Sequence, residues 1–146
     1  MAKVVAINIS KNKGEIKIPV EKAVFIENFG IEGDAHGGDW HRQVSLLGKE
    51  SADKIKAQGV SYIKEGIFAE NITTEGINLY SLPIGTQLKI GETIQEVTQI
   101  GKECHDRCAI YHKVGDCVMP REGIFTKVLK GGVVLPGDAI EVIEKE

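Results

Sequence analysis

Cysteine is missing from nearly all of this chain. Cys104, Cys108 and Cys117 fall within fourteen residues, and the rest of the 146-residue sequence has none. An odd count with this clustering excludes a disulfide scaffold and predicts reduced thiols, so any sulfur chemistry belongs to that one stretch. Aromatic residues are scarce as well, at 5%, while glycine is plentiful at 17. That combination suits many short strands joined by tight turns better than a helical bundle. No run approaches the roughly 20 apolar residues of a membrane helix. The opening Met1-Ala2-Lys3-Val4-Val5 runs straight into a strand-like pattern instead of a signal peptide, which predicts a cytoplasmic protein. Nor is there an excess of positive charge. Eighteen basic against 21 acidic side chains leave a net charge of -3, which argues against a duplex nucleic-acid or membrane-surface binder but leaves room for a local basic pocket.

What remains is an ordinary soluble composition, 42% hydrophobic and 27% charged, enough to build a packed core. The length fits one domain, residues 1–146, and rules out an appended catalytic module. No repeat or linker interrupts it.

Local patterning predicts where the strands lie. Lys3 to Ile9 and Ile16 to Ile26 are rich in Val and Ile and are separated by the polar cluster Ser10 to Gly14, which reads as a first hairpin. Pro83-Ile84-Gly85 turns into a strand from Thr86 to Ile90, Gly91-Glu92 turns again, and Thr93 to Ile100 alternates too regularly for a helix. A last strand, Ala139 to Ile143, follows the turn Pro136-Gly137-Asp138. The best helix spans Lys49 to Gln58, with Ala52, Ile55 and Ala57 inward and Gly59 as its stop. Pro120 to Lys130 fits a helix opened by Pro120 or a strand through Ile124, Thr126 and Val128. The fold class is mainly β, a closed or nearly closed barrel-like architecture with one or two short helices.

Four segments are too polar or too glycine-rich to be core alone. In Gly30 to Arg42, four glycines let backbone amides approach a ligand or take positive φ, and the Asp, His and Arg residues, Asp34 and His36 among them, can bind an anion or metal; a surface loop capped by its Asp residues is the plainer alternative. In Gly66 to Gly76, Glu70 and Asn71 interrupt an apolar run, and strand alternation places one of them outward. In Lys102 to His112, Arg107 beside Cys108, with Lys102 and His105 close by, favours thiolate, the form that attacks electrophilic sulfur or ligates soft metals. In Met119 to Gly132, Arg121 beside a glycine suits bidentate capture of phosphate, while Lys127 and Lys130 read as a solvated face.

Zinc is the competing reading of the cysteines. On a helix Cys104, Cys108 and His112 would share a face but span roughly 12 Å, too far for bonds to one ion, though a loop can gather them. The Cys-x3-Cys-x8-Cys spacing lacks the paired knuckles of common zinc folds, and Cys117, followed by Val118 and Met119, reads as a small core residue.

Taken together the segments resemble the MOSC domain, found at the C-terminal end of molybdenum cofactor sulfurases and as small free-standing bacterial proteins. The resemblance covers nearly the whole chain and rests on Gly33-Asp34-Ala35-His36, on Gly66-Ile67-Phe68-Ala69-Glu70-Asn71-Ile72 with Gly76-Ile77, on Ile84 to Gly91, on the cysteine segment, and on Gly123-Ile124-Phe125 through Gly137-Asp138. It implies a barrel-like β fold with a strand from about Gly123, and a single family cysteine. Arg107-Cys108-Ala109-Ile110 occupies that place, with Cys104 as runner-up. It implies further that Cys108 either relays a sulfane sulfur to molybdenum or ligates the metal in an enzyme reducing N-hydroxylated compounds. Molybdopterin is the implied cofactor. The glycine loop around Asp34 and His36, together with Arg121 or Arg107, is expected to hold its phosphate, with Glu70 and Asn71 orienting the pterin. A pyridoxal-phosphate desulfurase half does not fit in this length, so a persulfide would come from a separate cysteine desulfurase or a cofactor-biosynthesis partner. No ferredoxin-like cysteine pattern or flavin fingerprint is present, so electrons would come from separate donors. A non-catalytic cofactor carrier and a zinc-binding module are the alternatives, and oligomeric state is left open.

Overall fold

The computed structural model describes residues 2–12, 17–57, 70–101 and 122–143. Eleven strands among them form two sheets: β1 (Lys3–Ile9), β2 (Ile18–Val20), β3 (Ala23–Ile26), β4 (Gly30–Ile31), β5 (Val44–Gly48), β6 (Ile72–Glu75), β7 (Gln87–Ile90), β8 (Thr93–Ile100), β9 (Ile124–Lys130), β10 (Gly132–Val134) and β11 (Ile140–Ile143). The α-helix α1 (Lys49–Lys56) follows β5 directly and packs on β5 and β6, and a 3-10 turn covers Leu79–Ser81. The protein is mainly β, as its glycine-rich and aromatic-poor composition implies.

The larger sheet has the order β11-β7-β8-β9-β5-β6-β1-β2, and the smaller β10-β3-β4. The ladder of named strands is open. Its two ends nevertheless approach each other: Val4 donates its N–H to the Asp138 carbonyl (2.8 Å), Gly137 to that of Val4 (2.7 Å) and Ile140 to that of Ala2 (3.0 Å). Backbone groups that would otherwise be stranded at a sheet edge are thereby satisfied.

The expected first hairpin is half right. β1 and β2 pair antiparallel through Ile7–Val20 and Ile9–Ile18, but the second run breaks after Val20, and β3 joins the other sheet beside β10 and β4. The choice between helix and strand after Pro120 resolves as strand β9. The helix starts at Lys49 as expected and ends at Lys56, with Ala57 exposed instead of inward; Gln58 and Gly59 lie outside the described residues.

The core is aliphatic. Ile124, Leu46, Ile72 and Ile7 stand opposite one another across β9, β5, β6 and β1, all fully buried in one cluster. Because side chains alternate along a strand, the next position on each of these strands faces away from that cluster. Those positions are Phe125, Ser45 and Asn8; Asn71, just ahead of β6, is tied between Ser45 and Asn8 by backbone hydrogen bonds, and on β8 Gln99 stands opposite Phe125. This polar row organises the site.

Candidate functional site

Ser45, Asn71 and Asn8 face away from the aliphatic cluster yet are buried. A buried amide must be hydrogen-bonded or it destabilises the fold, and Asn71 meets that demand with backbone. Its Oδ1 accepts from the Ser45 N–H (2.9 Å) and hydroxyl (3.2 Å), and its Nδ2 donates to the Asn8 carbonyl (3.1 Å). The neighbouring Glu70 is also buried, its carboxylate accepting from the Thr73 hydroxyl (2.8 Å). Alternation along a strand places one of this pair outward; in fact both are inside. The reason is that Glu70 precedes β6, where period-two geometry does not yet apply, and Asn8 Nδ2 reaches across to the Glu70 carbonyl (3.2 Å) and the Thr73 hydroxyl (3.2 Å).

Two residues beyond Asn8 the chain reaches Ser10, and there the glycine-rich loop docks. Gly30 starts it with φ +119°, and a Cβ at that position would lie 2.7 Å from the Gln43 carbonyl oxygen, so only glycine fits this approach. Further on, a Cβ at Gly37 would lie 2.5 Å from the Phe29 ring, which packs the loop down on itself. Asp34 is turned inward. Its Oδ1 accepts from the Ser10 N–H (3.1 Å) and the Lys17 ammonium (2.7 Å), and its Oδ2 from the His36 N–H (3.0 Å).

Lys17 is the residue that sequence reasoning missed. Its side chain is wholly inaccessible, as is that of Asp34. An ammonium has three protons to donate, and Lys17 Nζ meets three acceptors: Asp34 Oδ1, Ser10 Oγ (3.1 Å) and His36 Nδ1 (3.0 Å). Assigned from this network, His36 Nδ1 is the acceptor and its ring proton sits on Nε2. Burial pushes the Asp34 carboxyl up. Lys17, together with the backbone N–H groups of His36 and Ser10, outweighs that push and holds it below the ordinary carboxylate value. Nothing in the local sequence marks Lys17 for burial, because the partner that holds it there, Asp34, lies 17 positions along the chain.

From His36 the loop crosses to the other end of the polar row. Trp40 Nε1 donates to the His36 carbonyl (2.8 Å), and the Thr98 hydroxyl holds the His41 carbonyl. Arg42 Nε (3.1 Å) and His41 Nε2 (3.0 Å) converge on Gln99 Oε1. The amide of Gln99 is oriented by its Nε2, which donates to the Gly101 carbonyl (2.7 Å). The Arg42 guanidinium lies over the Phe125 ring, 5.4 Å from its centroid.

Gly101 is the last described residue before the cysteine segment. Its N–H donates to the Gly123 carbonyl (2.6 Å), so the chain leaves and returns at one point. On the return side Glu122 accepts from Ser51 Oγ (2.7 Å) and from Lys54 Nζ (2.8 and 3.0 Å), beside a pocket of about 260 Å³ bordered by Gly48, Gly76 and Tyr80. Cys104, Arg107, Cys108, Cys117 and Arg121 lie outside the described residues. Of the other expected site residues, the structure gathers Asp34, His36, Glu70 and Asn71 around the C-terminal end of β1. Among the described residues no three His, Cys, Asp or Glu side chains come together to hold a metal ion, and no helix is long and apolar enough to cross a membrane.

The sequence matches the MOSC domain family over residues 32–141. This chain belongs to that family. As a MOSC domain it shares its fold with crystal structures of small bacterial proteins. YuaD from Bacillus subtilis superposes with a TM-score of 0.76 at 23% identity, covering 99% of this chain and 97% of that one. YiiM from Geobacillus stearothermophilus gives 0.74 at 20% identity, covering 99% and 76%, and YiiM from Escherichia coli 0.68 at 16%, covering 100% and 71%. At such identities the likeness is one of fold. No curated protein matches the chain.

Proposed function

We propose that this MOSC protein binds molybdopterin and uses Cys108 either to relay a sulfane sulfur to molybdenum or to ligate the metal while N-hydroxylated compounds are reduced. The family membership carries the reading, and the β fold, in this reading a nearly closed barrel, supports it. The residues present suit such a group. A soft metal calls for a thiolate, which the sequence around Cys108 favours. An anionic pterin calls for fixed N–H donors and positive charge, and Arg42, held by Gln99 and Phe125 and in no ion pair among the described residues, offers both. When bound, the cofactor supplies the redox-active metal and its sulfur chemistry.

The chain's own residues have definable tasks in this reading. Asp34 and Asn71 are positioning residues. Asp34 spends its oxygens on Lys17 and backbone, and Asn71 spends its amide on Ser45 and Asn8, so each fixes a loop against β1. His36, held against Lys17 through Nδ1 and with its side chain a quarter exposed, is proposed to border the pterin. Glu70 orients the start of β6 through Thr73. Arg107 and Arg121 remain phosphate partners in the proposal. Sulfur would arrive from a cysteine desulfurase or a cofactor-biosynthesis protein, with no nucleic acid or membrane involved.

Mass spectrometry of the native protein after incubation with a cysteine desulfurase and cysteine tests the sulfur role. A gain of one sulfur atom on the Cys108 peptide, lost in Cys108→Ser and retained in Cys104→Ser, supports the relay. No gain at Cys108, with molybdenum retained by the wild type and lost from Cys108→Ser, supports ligation. Sulfur on Cys104 with Cys108→Ser unaffected overturns the assignment.

A further inference from the structure

Arg42 is charged, half-buried and without a carboxylate partner among the described residues. The ion pairs among the described residues are Lys3–Glu75, Lys17–Asp34, Lys49–Asp53, Lys54–Glu122 and Lys127–Glu96, with His36 beside Asp34; none includes Arg42. The nearby Asp39 accepts from Asn28 Nδ2 (3.1 Å) instead. An arginine has five N–H donors, and only Nε is used here, on Gln99. The four donors on the two Nη atoms meet no acceptor among the described residues.

The guanidinium is nonetheless held firmly. Gln99 fixes its Nε edge, Gly101 fixes Gln99, and Phe125, 4% exposed, lies against one face. A solvated surface arginine needs none of this. A fork whose plane, edge and neighbours are set in advance loses little entropy when it captures a planar pair of oxygens. His41 shares the same Gln99 oxygen and puts a second ring beside the fork, T-shaped against Trp40 with centroids 5.9 Å apart. With Nε2 engaged on Gln99, the His41 ring keeps Nδ1 for a further hydrogen bond. A carboxylate satisfies the fork alone. A tetrahedral phosphate has a third oxygen left to meet that nitrogen.

We infer that Arg42 and His41 form a binding site for a phosphate monoester. The site stands on the geometry of Arg42. Only the identity of the phosphate's carrier, the pterin cofactor or a free phosphorylated small molecule, rests on the functional reading above. It moves the main phosphate contact from the Asp34 side of the glycine loop, where the carboxylate is already paired with Lys17, to the far end of the same loop.

The test uses the full chain and two probes, inorganic phosphate and phenyl phosphate, followed by calorimetry or phosphorus NMR. Wild type is expected to bind both saturably, more weakly as salt rises. Arg42→Gln is expected to weaken binding at least 10-fold, and Arg42→Lys to fall between, since an ammonium keeps the charge and loses the fork. His41→Asn should weaken binding several-fold, and it keeps the test available should Arg42→Gln melt at a lower temperature. Pterin content of wild type and Arg42→Gln, purified from a molybdopterin-producing host, separates the carriers. A matching fall in pterin assigns the phosphate to the cofactor. Phosphate binding that depends on Arg42, in a protein without pterin, supports the site and overturns the cofactor reading. No phosphate binding by wild type, or binding indifferent to both substitutions, overturns the inference, and pterin retained at wild-type level in those variants leaves the cofactor reading standing.

Discussion

Replacing Lys17 by Met removes an ammonium while keeping most of its aliphatic stem, so the loss isolates electrostatics from packing. Lys17 Nζ is 2.7 Å from Asp34 Oδ1, and neither side chain is exposed to solvent. Without it, Asp34 keeps only the Ser10 and His36 backbone N–H groups as donors, and a buried carboxylate has lost its counter-ion. Removing one partner of such a pair destabilises by about 3–5 kcal/mol. For a chain of this size that lowers the melting midpoint by about 10–15 °C. Asp34→Asn alone leaves the ammonium with Ser10 Oγ and His36 Nδ1 and is expected to be similarly costly. The double substitution leaves no charge stranded, so its cost should fall short of the sum of the singles by about 2–3 kcal/mol. Urea denaturation of the four proteins measures the cycle. A Lys17→Met loss under about 1 kcal/mol, or strictly additive singles, would refute the reasoning.

Two further outcomes follow from the same network. The Asp34 carboxyl is held below its usual value in the folded state, so the stability it contributes is complete above about pH 4 and is lost as pH falls through the depressed folded value. Thermal melts should therefore show a steeper acid limb for wild type than for Asp34→Asn below about pH 4, and equal slopes would count against the assignment. Asn71→Ala removes the side-chain partner of the Ser45 N–H and of the Asn8 carbonyl inside the protein. It is expected to cost about 2–4 kcal/mol in urea titrations, with Asn71→Asp no better, because a carboxylate has no proton for the Asn8 carbonyl; a loss near zero would mean that water replaces the amide.

Local signals in the sequence were enough for β7, β8, β11 and α1, where turn residues bracket a clear periodicity. They were not enough for β5. Val44-Ser45-Leu46-Leu47-Gly48 is buried at every position, so it carries no alternation, as in strands covered on both faces. Nor does a run of Val and Ile tell which sheet it joins, which is why the segment to Ile26 divides between β2 and β3. The site shows the same limit. Asp34, His36, Glu70 and Asn71 stood out because polar residues in glycine-rich or apolar surroundings need partners. Lys17 and Gln99 did not, because each is defined by a residue far along the chain: Asp34 is 17 positions from Lys17, and Arg42 is 57 positions from Gln99. Burial of a lysine or orientation of a glutamine is a property of the assembled sheet.

The central claim is that this MOSC domain holds a molybdenum-bearing pterin against Cys108. Its most direct test is the metal and pterin content of the full chain purified from a host that makes the cofactor. The account predicts molybdenum and pterin together, in equal amounts, with molybdenum lowered in Cys108→Ser where the thiolate ligates the metal. Stoichiometric zinc with neither molybdenum nor pterin would contradict it.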